Sequence, residues 1–141
     1  PADSLGRPRT SDEADDPLKI GSLPQVSALA PGLMALSSLV TKRTDLPALL
    51  TAALVHNEIL WLRPFSWGSG LVGRALVRCV MAQRGLDPSP FTIPEHGFVE
   101  SGRPAYVQAI KNYGSGTVEG VAESAIWFAA CCAVGAAAVT V

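Results

Sequence analysis

The apolar positions of this chain recur at helical spacing, and the strict alternation that marks a strand is scarce. From about Pro24 to Val40, the side chains of Leu29, Leu33, Leu36 and Val40 share one stripe, which predicts an amphipathic helix. The next stretch, about Leu46 to Leu62, is apolar almost all round, interrupted by His56, Asn57 and Glu58. A helix of that kind belongs at the centre of a bundle. Asp45 reads as its N-cap with Pro47 in the first turn, and Pro64 ends it, because the residue before a proline disfavours the helical region. A further helix is expected from about Leu71 to Arg84, closed by Gly85. Residues 86–104 are rich in Pro and Gly and read as irregular, with His96 in a loop. A short helix, about Ala105 to Tyr113, and a long one from about Val118, capped by Ser115 or Thr117, complete the pattern. Leu18 to Gly21 reads as a short strand. Residues 1–17, polar and carrying the run Asp12-Glu13-Ala14-Asp15-Asp16, read as a flexible lead-in. The expectation is an all-α fold, with one helical domain over residues 18–141.

Composition narrows the classes. Of 141 residues, 48% are hydrophobic and 16% charged, enough apolar material for one domain with a core. A net charge of −1 speaks against a general nucleic-acid binder. Cys79, Cys131 and Cys132 lie in apolar helical stretches without a CxxC pair, so buried reduced thiols in a cytoplasmic protein are expected, rather than disulfides or metal ligands. Ser124 to Val141 carries no charge but sits at the short edge of the ~20 residues a membrane span needs. It reads as a buried closing helix, with no membrane partner expected.

The chemistry concentrates in residues 63–74, Arg-Pro-Phe-Ser-Trp-Gly-Ser-Gly-Leu-Val-Gly-Arg. Gly68-Ser69-Gly70 leads straight into an amphipathic helix, an arrangement that exposes backbone N–H groups to an anion. Arg74 sits one turn in, and Arg78 follows at i+4 on the same face. Arg63 adds a cation before the turn. The plain alternative is a tight helix–helix connection whose glycines serve geometry, with the arginines paired to Glu58 or facing solvent. His56, two turns before Arg63, is a candidate displaced base or else a satisfied core histidine.

The segment resembles the signature of the Fic/Doc (Fido) family, His-x-Phe-x-Asp/Glu-Gly-Asn-Gly-Arg-x-x-Arg, in a divergent, actinobacterial-type bacterial branch. Pro64, Phe65, Gly68, Gly70, Gly73 and Arg74 match it. Arg63 stands where the family has its histidine, Trp67 at the acidic position, Ser69 at the asparagine and Leu71 at the first arginine. The resemblance implies a Fido-type helical bundle lacking the family's first helix. It also implies that residues 7–21 are a remnant of the flap, a short N-terminal β-hairpin that aligns the target protein. Ser115 to Gly120 resembles the family's inhibitory motif, which would make Glu119 an inhibitory glutamate over Arg74.

Active family members transfer AMP or a related group from a nucleotide to a protein hydroxyl. The resemblance therefore implies three missing parts. Arg63 cannot serve as a base, because guanidinium stays protonated. Trp67 offers Mg²⁺ no oxygen ligand, and Leu71 cannot contact phosphate. No AMP transfer by the usual mechanism is expected. Three functions stay open. The first is a catalytically degenerate binding or regulatory module, with nucleotide or phosphate held without Mg²⁺ at Gly68, Ser69, Gly70 and Arg74, and Arg63, Arg78 and His56 as accessory residues. The second is a divergent nucleotidyl- or phosphotransferase. The third is a helical interaction domain that binds no nucleotide. A protein partner is expected in the first reading, and a homodimer is an option.

Overall fold

The computed structural model describes residues 4–42 and 45–139. The fold is all-α, a bundle of six helices among the described residues: α1 (Leu29–Thr41), α2 (Ala48–Leu62), α3 (Ser69–Gln83), α4 (Pro94–Ser101), α5 (Arg103–Gly114) and α6 (Val118–Ala137). A short 3-10 turn, Val26–Ala28, leads into α1, so this helix begins later than the sequence pattern suggested. The almost all-round apolar character of α2 is explained by its neighbours, since α1, α3, α5 and α6 all pack on it. Its buried residues include Ala52, Ala53, Val55, Ile59 and Leu60.

Several local expectations are corrected. Asp45 does not cap α2. Pro47 holds the N-cap position, and its carbonyl accepts from Thr51 N at 3.0 Å. Among the described residues there is no strand, so Leu18–Gly21 is not one and no β-hairpin flap forms. Asp16 satisfies that backbone instead, its carboxylate accepting from Ile20 N and Gly21 N at 2.9 Å each. Residues 86–104 contain α4, which was missed because Pro94 and Gly97 read as breakers. Proline at the first helical position is well tolerated, since its missing N–H has no partner there anyway. His96 therefore lies in a helix. Gly97 lets α4 approach α6 closely, because a Cβ there would collide with the Cys131 carbonyl.

Other signals act as expected. Gly85, at φ 72°, closes α3, with Gly85 N bonded to Ala82 O and Leu86 N to Met81 O. Thr117 caps α6 by accepting from Gly120 N at 3.1 Å. By length and composition α6 is apolar enough to cross a membrane, and in this fold it packs on α4 and α5 and buries Phe128, Cys131 and Cys132. An aromatic cluster of Phe98, Tyr106, Trp127 and Phe128 surrounds His56 in the core.

Residues 1–3 of the expected lead-in lie outside the described part. From Ser4 onward the segment is anchored across the end of α2. The Arg9 side chain is buried, and its Nε and Nη2 donate to the carbonyls of Arg63 and Leu62 at 3.0 and 3.3 Å. These are carbonyls that the helix itself leaves without partners, and a cation is favoured at that end of the dipole. Arg9 N also donates to Pro64 O at 2.7 Å, and Asp15 N to Ser66 O at 2.9 Å. The N-terminal segment thus forms a strap beside the 63–70 loop.

Candidate functional site

Strap and loop enclose a cleft of about 380 Å³. Its lining includes Asp15, Asp16, Leu18 and Ile20 on the strap side, Arg63, Trp67, Gly68, Ser69, Gly70, Leu71 and Arg74 on the loop side, and Leu60 and Tyr106 behind.

The loop geometry follows from its backbone. α2 ends at Leu62, and Arg63 takes the left-handed conformation at φ 43°. A non-glycine residue there is strained by about 1–3 kcal/mol and persists only when its surroundings hold it. Arg63 is held through both terminal nitrogens and its carbonyl, while its buried Nε has no partner among the described residues. Its Nη1 lies 3.0 Å from Asp16 Oδ2, its Nη2 donates to the carbonyls of Gly21 and Ser22, and its own carbonyl accepts from Arg9. Arg63 lines the cleft, but as a buried tie between loop and strap whose charge Asp16 already meets.

Gly68 follows at φ 82° as the N-cap of α3 and has no side chain with which to cap it. Its carbonyl accepts from Leu71 N and Val72 N at 2.9 and 3.2 Å. The N–H groups of Ser69 and Gly70 have no acceptor among the described residues. The Ser69 hydroxyl is engaged, accepting from Phe65 N at 3.2 Å and donating to Phe65 O at 3.3 Å. Ser69 can thus offer an anion its N–H but not its side chain. Arg74 folds back over this helix start, its Nη1 3.4 Å from where a Cβ on Gly70 would sit. Its Nε is 3.9 Å from Glu95 Oε1.

The other expected residues fall away from the cleft. Arg78 Nη2 pairs with Glu95 Oε2 at 2.9 Å, and Arg78 is not in the lining. Glu119 is exposed in the first turn of α6; the carboxylate beside Arg74 is Glu95. Glu58 pairs with none of the described arginines and instead accepts from the Tyr113 hydroxyl at 2.6 Å. His56 is fully buried, its Nδ1 3.0 Å from Asn57 Oδ1 and its Nε2 2.9 Å from the Tyr106 hydroxyl. Burial pushes its pKa down to about 4, opposed by the Asn57 hydrogen bond and reinforced by Arg74. It touches the cleft through Tyr106 alone, in the manner of a satisfied core histidine. Trp67 is 67% exposed at the rim and does not plug the cleft, and Phe65 is half-buried.

The donor set does not fit a phosphate-bridging Mg²⁺. Trp67 has no oxygen ligand, Asp16 is tied to Arg63, and among the described residues no three His, Cys, Asp or Glu side chains come together.

Sequence reasoning missed Asp15, Asp16, Glu95 and the cleft role of Tyr106. Only the acidic run over residues 12–16 hinted at any of these contacts. No known family model matches the chain, and no curated protein matches it either.

Proposed function

We propose that this chain is a catalytically degenerate Fic-like protein that works by binding, and that its cleft takes a phosphate-bearing ligand without Mg²⁺. One observation carries the reading. The Arg74 guanidinium reaches back beside Gly70, and the Ser69 and Gly70 N–H groups, which lack acceptors among the described residues, stand with it in the wall of the cleft at the start of α3. A cation, free N–H groups and the positive end of a helix dipole converge there on one place that an anion can reach. The apolar lining of Leu18, Ile20, Leu60 and Leu71 suits the uncharged body of such a ligand, a nucleoside among them.

The transferase reading has less support. A base must reach the accepting hydroxyl, and Arg63 is a permanently protonated tie while His56 lies behind Tyr106. A protein partner is part of the proposal. Leu5, Trp67 and Leu71 are exposed together along a second groove that adjoins the cleft.

Calorimetric titration with ATP and AMP, each with and without Mg²⁺, tests the proposal. Binding that does not depend on Mg²⁺ supports it. Absence of binding under every condition removes it and leaves the helical interaction domain. Transfer of labelled nucleotide to any protein would overturn the claim of lost catalysis.

A further inference from the structure

The cleft lies between two grooves. Trp67, Gly68 and Leu71 line both the cleft and the second groove, while Leu18, Arg74 and Tyr106 line both the cleft and a third. The two grooves have no lining residue in common. Arg74 therefore stands on one side of the cleft. Asp15 is held towards the other, because its N–H donates to Ser66 O at 2.9 Å and Ser66 borders the second groove. Two carboxylates line the cleft, Asp15 and Asp16. Asp16 is engaged by Arg63. The Asp15 side chain has neither a hydrogen bond nor an ion pair among the described residues. An unpaired carboxylate beside an anion site repels the anion unless it meets a donor on the same ligand. When ionised its two oxygens only accept.

We propose that Asp15 makes the cleft selective for ribonucleotides, its carboxylate accepting from the 2′- and 3′-hydroxyls of a ribose whose phosphate lies at the start of α3. The inference rests on the phosphate site proposed above. A carboxylate takes two adjacent donors side by side, and in a nucleotide the ribose diol is the donor pair nearest the phosphate. One sugar ring then reaches from the Arg74 side of the cleft to the Asp15 side, against the apolar lining of Leu18, Ile20 and Leu60. An acidic side chain plays the same part towards ribose hydroxyls in dinucleotide-binding folds of unrelated architecture. The backbone fixes where the Asp15 carboxylate is presented, through its own bond to Ser66 O and the Asp16–Arg63 pair next to it.

The test is calorimetry on the whole chain without Mg²⁺, with AMP, 2′-deoxy-AMP, GMP and inorganic phosphate as probes. Wild type should bind AMP about tenfold more tightly than 2′-deoxy-AMP, the size expected for one hydrogen bond to a charged group. In Asp15→Ala the two adenine nucleotides should bind alike, AMP more weakly than before and inorganic phosphate no more weakly. Equal wild-type affinities for AMP and 2′-deoxy-AMP overturn the inference and leave the phosphate site standing. A ribose preference that survives Asp15→Ala overturns it too, since the sugar then sits elsewhere. So does an equal gain in affinity for AMP, 2′-deoxy-AMP and phosphate in Asp15→Ala, the mark of a carboxylate that only repels. Tighter binding of GMP than of AMP, lost in Asp15→Ala, would put a base edge on Asp15 and overturn the ribose assignment. If the wild type binds none of the probes, the proposed function fails and the inference with it. Should Asp15→Ala not fold, Asp15→Asn keeps the shape and one acceptor. Its ribose preference should be reduced, and an undiminished preference overturns the inference.

Discussion

The Arg63 guanidinium stands 3.0 Å from the Asp16 carboxylate, and this pair joins the loop to the strap at the wall of the cleft. Burial resists the Asp16 charge, but N–H bonds from Gly21 and Ile20 and the Arg63 cation outweigh it and hold the carboxyl below its ordinary value. Asp16→Ala would leave a buried guanidinium short of its partner. With Asp16 itself 24% exposed, the loss should be about 2 kcal/mol, below that of a wholly buried pair. A carboxyl with a depressed folded pKa contributes stability above its unfolded value of 3.8 and loses it as pH falls through the folded one. Urea unfolding should therefore separate wild type from Asp16→Ala at pH 7 and bring them together in strong acid. Equal midpoints at pH 7 would show that the pair does not hold the strap.

His56 makes a second pH dependence. Its folded pKa of about 4 lies below the ordinary 6.5, so the unfolded chain binds the extra proton. Its contribution is complete above 6.5 and drains away as pH falls towards 4, on the order of 3 kcal/mol in all. Denaturation followed between pH 7 and pH 4.5 should show uptake of one proton on unfolding, and His56→Gln should remove that uptake. The same slope in both proteins would contradict a neutral buried imidazole.

Two glycines should respond differently to alanine. Gly97→Ala places a methyl against the Cys131 carbonyl where α4 crosses α6, and overpacking of that kind costs about 2–3 kcal/mol. Gly68→Ala meets open space, so only the left-handed backbone is penalised, by about 1 kcal/mol. Thermal unfolding of both variants checks the order, and a larger loss in Gly68→Ala would reverse the argument.

Local signals in the sequence carried the helices. The all-round apolar run of α2, the stop at Pro64, the glycine cap at Gly85 and the Thr117 cap act within a few residues, so the sequence exposes them directly. The candidate site was only half legible for the same reason. Gly68 and Gly70 declare a backbone shape, and Arg74 is one turn away. The partners that decide what each arginine does come from far along the chain. Arg9 reaches carbonyls at Leu62 and Arg63, Asp16 neutralises Arg63, and Glu95 takes Arg78. No periodicity encodes such contacts, and the acidic run that supplies Asp16 resembles an unstructured tail. The breakers around α4 misled for a related reason, since Pro94 starts that helix and Gly97 serves a neighbour in space.

The most direct measurement compares AMP and ATP binding in wild type, Arg74→Ala and Arg78→Ala by calorimetry. The two arginines share a helix face and a carboxylate, but Arg74 alone lines the cleft. Wild type and Arg78→Ala should bind alike without Mg²⁺, and Arg74→Ala should lose at least about tenfold in affinity, as expected for removing a charged donor from phosphate. Unchanged binding in Arg74→Ala, or an equal loss in Arg78→Ala, would contradict a phosphate site at the start of α3.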